Sequence, residues 1–124
     1  MSKWIWFSVA VVFGGFARYL LGTAVYRKFG GGFPTGTLLV NLSGCLLIGF
    51  FNSLAQDKLL LGPEERLWLM TGFCGAYTTF STFILETSNL FRDGESSWAL
   101  LNIALSLLLG LAVFRVGTWL ARAV

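Results

Sequence analysis

Four runs of mainly apolar residues, at about 4 to 26, 35 to 55, 67 to 91 and 97 to 121, leave this 124-residue chain little choice of fold. Each is long enough for a helix to cross a bilayer, which takes roughly 20 such residues. The connectors between them mix turn formers with charge, as hairpins between helices should. The first holds Arg27, Lys28, Gly30, Gly31, Gly32 and Pro34; the second Asp57, Lys58, Gly62, Pro63, Glu64, Glu65 and Arg66; the third Arg92, Asp93, Gly94 and Glu95. Only 12% of the residues are charged, against roughly a quarter in soluble domains. The expectation is an all-α membrane protein, one four-helix transmembrane domain over residues 1–124, with both termini on the same side. The first run is too long for a signal-peptide core and no small-x-small site follows it, so it is expected to be retained.

Charge gives little direction to insertion. Lys3, Lys58, Arg66 and Arg122 fall on the side of the termini, and Arg27, Lys28 and Arg92 on the other. The excess of Lys and Arg in short loops sets orientation, so this near-balance leaves two readings open: one loop charge decides, or the chain inserts both ways up. The net charge of +3 suggests little beyond contact with anionic headgroups. Four helices of this size fill their own centre. A conducting form would therefore need an oligomer, most simply a twofold dimer. If antiparallel, its axis lies in the membrane plane and gives in trans the inverted-repeat symmetry of many transporters.

Residues 72–83, GFCGAYTTFSTF, interrupt the third run with two Gly, four Ser or Thr hydroxyls, three Phe and a Tyr. Glycine costs about 1 kcal/mol relative to Ala inside a helix, and buried hydroxyls need partners. Close helix packing accounts for such a stretch, and so does a helix break that turns polar groups toward an ion. Further on, Phe80, Phe83 and Glu86 are spaced by three, so two rings lead along one face to a carboxylate. Ring edges are positive and can attract a small anion without a buried Arg. Glu86 should then pair with Arg18, Arg115 or a backbone donor, or sit protonated.

The other spans carry polar residues at helical spacing. Ser8, Gly15 and Gly22 recur every seven residues, with Gly14 and Ala17 beside them, a smooth face suited to close helix approach. Arg18 lies well inside the first span, either snorkelling or facing a watery cavity. Thr37, Asn41 and Cys45 form a stripe on the second span, which opens with Pro34 and hydroxyls able to cap it. Asn41 can glue helices, or offer two amide donors to an anion. Asn102, Ser106 and Gly110 form a stripe on the fourth span, and Trp4, Trp6, Trp98 and Trp119 lie near span ends, where indole prefers the interface.

An enzyme has no support here: there is no His and no nucleophile, base and orienter set. Cys45 and Cys74 lack a metal-ligand spacing and read as packing residues. No basic patch of the size nucleic acid requires is present.

The runs GGFARY (14–19), PTGTLLVNLSGCLLIGF (34–50) and GFCGAYTTFSTFILE (72–86) resemble the Fluc/CrcB family of fluoride channels over nearly the full length. The resemblance implies an antiparallel, dual-topology homodimer in the inner or plasma membrane, its third helix broken near the middle, with two pores for fluoride. It places Asn41, Phe80, Phe83 and Ser106 in the pore walls, and a structural sodium ion on the main-chain carbonyls of Gly75 and Thr78 at the dimer centre. Thr37, Thr82, Arg18 and Glu86 also fall at motif positions: the two threonines are assigned to the anion pore, Arg18 and Glu86 to vestibule or structural charge. Two positions depart from the pattern: Ala76 stands where many members have a second glycine, and Gly110 where some carry a further hydroxyl. A selective pore must replace the water of fluoride with close donors without trapping the ion. The expected function is passive export of cytoplasmic fluoride. The alternatives are a dual-topology proton-coupled small-molecule exporter working through Glu86, and a nonconducting membrane assembly subunit.

Overall fold

The computed structural model describes residues 2–124, all helix and connecting turns with no strand among them. Three long helices, α1 (Ser2–Phe29), α2 (Thr35–Gln56) and α6 (Ser96–Ala123), are each long and apolar enough to cross a membrane. At 1.5 Å per residue, the 28 residues of α1 reach about 42 Å and the 22 of α2 about 33 Å, against a hydrocarbon core of about 30 Å.

The third run takes a different form from the other three. It is built in series from α3 (Pro63–Arg66), a π-wound stretch (Leu67–Cys74), α4 (Gly75–Tyr77) and α5 (Phe80–Arg92). Between α4 and α5 the backbone extends, with ψ 161° at Thr78 and φ −148°, ψ 117° at Thr79. Hydroxyl side chains compete for backbone partners here, which is why they favour helix ends. Thr78 Oγ1 donates to the Cys74 carbonyl at 3.0 Å. Thr79 Oγ1 caps α5 by accepting from the Thr82 N–H at 3.3 Å.

The connectors close as their residues suggest. Gly30 (φ +78°) ends α1, its N–H returning to the Tyr26 carbonyl at 2.8 Å, and Gly94 (φ +79°) turns the chain after α5. Pro63 occupies the first turn of α3. The start of α2 differs from expectation: no side chain caps it, because Thr35 Oγ1 donates to the Phe33 carbonyl and Thr37 is used elsewhere. Between α2 and α3, Arg66 donates to the carbonyls of Leu61 (3.1 Å) and Ala55 (2.7 Å). Asp57 accepts from Ser53 Oγ at 2.7 Å and pairs with Arg122 at 3.4 Å. The Ser53 hydrogen bond, more than the Arg122 charge, holds the exposed Asp57 carboxyl below its ordinary range.

The most extensive interface joins α2 to α6. A Cβ on Gly49 would meet the Phe114 backbone, and one on Gly117 the Leu46 backbone, so both glycines are contact points that admit no side chain. On α1 it is Gly14 that touches a neighbour, the Phe73 carbonyl of the π-wound stretch, whereas Gly15 faces open space. The expected seven-residue face is therefore turned by one residue at its middle, although Gly22 does abut Gly36 of α2. Phe13, Phe16, Leu107, Leu108 and Leu111 stand exposed around the outside, as side chains that meet lipid do. Trp4, Trp6, Trp98 and Trp119 are exposed near helix ends.

Candidate functional site

The extended pair Thr78–Thr79 costs the chain helical hydrogen bonds, and a side chain 38 residues away supplies two of them. Asn41 on α2 grips the Thr79 peptide from both sides: its Nδ2 donates to the Thr79 carbonyl at 3.0 Å and its Oδ1 accepts the Thr79 N–H at 2.8 Å. A carboxamide is suited to this because it carries a donor and an acceptor in one plane. The second Nδ2 hydrogen meets no acceptor among the described residues. In a continuous helix the Thr79 N–H would go to the Gly75 carbonyl, so the grip also frees that carbonyl. Gly44, one turn along α2, allows the approach, since a Cβ there would collide with the Thr78 side chain. On the same turn, Ser43 Oγ meets the Tyr77 hydroxyl at 2.7 Å, and Tyr77 stacks on Phe73 with ring centres 5.6 Å apart.

The predicted residues divide around this interruption. Phe80 and Phe83 lie one turn apart with centroids 5.8 Å apart. Their surroundings differ, because Phe80 is 75% exposed and Phe83 only 8%. Phe80 opens α5 at the interruption and lines a cleft of about 270 Å³ with Asn41, Thr79, Thr78 and Gly75, whereas Phe83 turns into the bundle. Thr82 Oγ1 accepts a proton from Thr79 Oγ1 at 3.1 Å, which leaves its own proton available. Gly75 and Thr78 sit together in the same cleft.

A second cleft, of about 730 Å³, opens between the first and third connectors and reaches Thr37 and Glu86. Thr37 Oγ1 donates to Glu86 Oε1 at 2.9 Å, while Glu86 Oε2 is buried with no partner. The expected arginine or backbone partner for Glu86 is absent among the described residues. Arg18 instead directs its guanidinium at the Thr78 carbonyl, at 3.4 Å. Arg115 is exposed and makes no ion pair among the described residues.

Ser106 is not drawn into either group, and its Oγ is buried without a hydrogen-bond partner among the described residues. Its neighbour on the stripe, Asn102, is 2% exposed and donates to Thr87 Oγ1 at 2.9 Å, and Thr87 donates onward to the Phe83 carbonyl at 2.7 Å. This relay ties α6 to α5 behind the Phe83 ring. Sequence reasoning missed Thr87 and the part played by Thr79. A hydroxyl four residues after Phe83, and another at the N-cap position three before Thr82, were the available signals.

These features define a class first: an all-helical, multi-pass membrane protein in which long apolar helices flank a segmented one, with polar side chains gathered at the segment boundary. The chain belongs to the family described as "CrcB-like protein, Camphor Resistance (CrcB)", whose model matches residues 5–118. It is similar to a protein of Chlorobaculum tepidum named "Fluoride-specific ion channel FluC", 54% identical over 109 residues, covering 88% of this chain and 86% of that one. Proteins of the same name from Methylocella silvestris and Maridesulfovibrio salexigens are 43% and 39% identical over 123 and 124 residues. They cover 98% and 100% of this chain, and 94% and 98% of their own lengths.

Proposed function

We propose that this protein is a fluoride-specific ion channel of the cell membrane that lets cytoplasmic fluoride leave passively, through pores completed by an antiparallel homodimer. The observation that carries the reading is the Asn41 grip on Thr79, which sets a free amide hydrogen beside Phe80 in a chain whose full-length relatives bear the name of fluoride-specific channels. Fluoride holds its water strongly, and a selective path must offer donors in place of that shell without binding the ion too tightly. The second Nδ2 hydrogen of Asn41, the unpartnered Ser106 hydroxyl and the free proton of Thr82 are such donors. The positive edges of Phe80 and Phe83 add weak attraction. Thr37 reaches an anion only by releasing Glu86, so the pair belongs at the wide, polar end of the route. Arg18 adds positive charge at the interruption.

What one chain lacks supports the homodimer. Phe80 and its cleft stand open at the surface, and the near-balance of Lys and Arg across the connectors permits both orientations. The break in the third span belongs at the twofold axis, where it would serve a structural sodium ion. Main-chain carbonyls are hard oxygen donors suited to such an ion, and the residues fit in kind: Gly75 has lost its helical N–H partner and Thr78 is extended beside it. Two carbonyls are too few for a full shell, so a second copy would supply the others, and Arg18 would yield the Thr78 carbonyl. When bound, the ion contributes positive charge that offsets the cost of anions in a low-dielectric interior.

Flux from liposomes loaded with fluoride, followed by a fluoride electrode, tests the reading. The expected result is fast efflux that requires a charge-balancing ionophore, with chloride retained. Proton-coupled movement of organic cations would instead identify an exporter, and silence an assembly subunit.

A further inference from the structure

We infer that Asn41 is the positioning residue of the cation site as well as a donor to the anion, because its side chain is what keeps the Gly75 carbonyl free. This rests on the sodium reading above and extends it. A helix running through residues 75–79 would give the Thr79 N–H to the Gly75 carbonyl. Here that N–H goes to Asn41 Oδ1 at 2.8 Å, and the Thr79 carbonyl is held in the opposite direction by Nδ2 at 3.0 Å. Thr78 keeps its own ladder bond to Cys74 at 3.0 Å, so the helix is intact up to the peptide that Asn41 takes. Arg18 reaches the same peptide at its Thr78 carbonyl, at 3.4 Å, but among the described residues only Asn41 takes the Thr79 N–H. Thr79 Oγ1 is occupied with Thr82 and Ser81, and Gly44 provides room for the turn without contributing a polar group.

Two halves of one carboxamide therefore have separable duties. Oδ1, by accepting the Thr79 N–H, holds the Gly75 carbonyl available to a cation. Nδ2 steadies the Thr79 carbonyl with one hydrogen and keeps the other for an anion. Sites for ions of opposite sign are thus joined through a single side chain, and a change at Asn41 reaches the cation without touching it. Asn41→Ala removes both halves, so the Thr79 N–H returns to Gly75. Asn41→Asp keeps the acceptor and removes the donors. The two substitutions should part company: the first weakens the cation and the anion together, the second spares the cation and loses the anion.

Gly75–Ala76 is the sole Gly–Ala step in the sequence, so labelling with carbonyl-13C glycine and 15N alanine isolates the Gly75 carbonyl as one coupled resonance in the full chain in lipid. In Asn41→Ala that resonance should move downfield, as a carbonyl does on gaining a hydrogen bond, and its response to added Na+ should weaken by roughly tenfold or more, the usual effect of losing a residue that orients a metal ligand. Asn41→Leu, isosteric and apolar, replaces it if the alanine variant does not assemble. Asn41→Asp should keep the wild-type carbonyl shift and Na+ response while fluoride efflux falls. An unchanged Gly75 resonance in both Asn41→Ala and Asn41→Leu overturns the inference. A wild-type resonance indifferent to Na+ overturns the cation site on which it rests, whatever Asn41 does to the carbonyl.

Discussion

The α2–α6 pair and the segment from Pro63 to Arg92 draw on the same small and hydroxyl-bearing residues, yet one stays continuous and the other comes apart. In the pair, Gly49 and Gly117 let each helix rest on the other's carbonyls, and both helices run unbroken. In the segment, Gly72 and Gly75 lie ahead of two threonines whose hydroxyls bond their own backbone, and a carboxamide from α2 takes the next peptide. What separates the outcomes is the presence of partners that substitute for the helical ladder. A small residue permits close approach, but it takes a competing donor and acceptor to open a helix.

That contrast is most exposed at Gly117. Replacing it with Leu drives a side chain into the Leu46 backbone, which cannot move aside as a flexible side chain would. The expected loss is about 3 kcal/mol or more, read from thermal unfolding in detergent; a stable Gly117→Leu protein would show that the pair is not held by backbone contact. Within the segmented region, Thr87→Val leaves the Asn102 amide buried without its acceptor and should cost about 2 kcal/mol. The double variant Thr87→Val with Asn102→Leu should recover part of it, and full additivity of the two losses would dissolve the relay.

Phe83→Ile removes one aromatic edge, an interaction worth about 1 kcal/mol, and so should slow fluoride efflux roughly fivefold while the elution position on size exclusion stays that of the unaltered protein. Phe80→Ile should act on efflux with less effect on folding, because Phe80 is exposed and Phe83 is not. Equal thermal shifts for the two would contradict the difference in their surroundings. The smallest effect belongs to Asp57. Its folded pKa is depressed by Ser53, so its contribution is present above the ordinary carboxylate range and is lost as pH falls through the lowered value. Asp57→Asn should lower the melting temperature slightly at pH 7, where that contribution is present, and flatten its decline on the acid side of pH 4, so that the two proteins converge there; parallel curves for the two proteins would remove Asp57 from the acid response.

Much of the fold could be read along the chain. Three of the four apolar runs form helices of membrane length as their hydropathy announces, and Gly30, Gly94 and Pro63 fall where the connectors turn. The disturbance in the third run was equally visible in residues 72–83, since glycine and clustered threonine act locally on the backbone. The site was legible only as a set of residue types. Asn41 stood out as a polar group in an apolar helix, but its partner, the Thr79 peptide, has no signature of its own.

By itself the sequence determined that this chain crosses the membrane several times and that its third run holds residues able to disturb a helix, because hydropathy and local backbone competition are properties of neighbouring residues. Tertiary structure alone decided which groups complete one another: Asn41 with Thr79, Thr37 with Glu86, Arg18 with the Thr78 carbonyl, and Gly14 rather than Gly15 against the neighbouring helix. Those pairings span 38 to 60 residues. They depend on the rotation of one helix about its axis relative to another, and packing fixes that angle where local pattern does not.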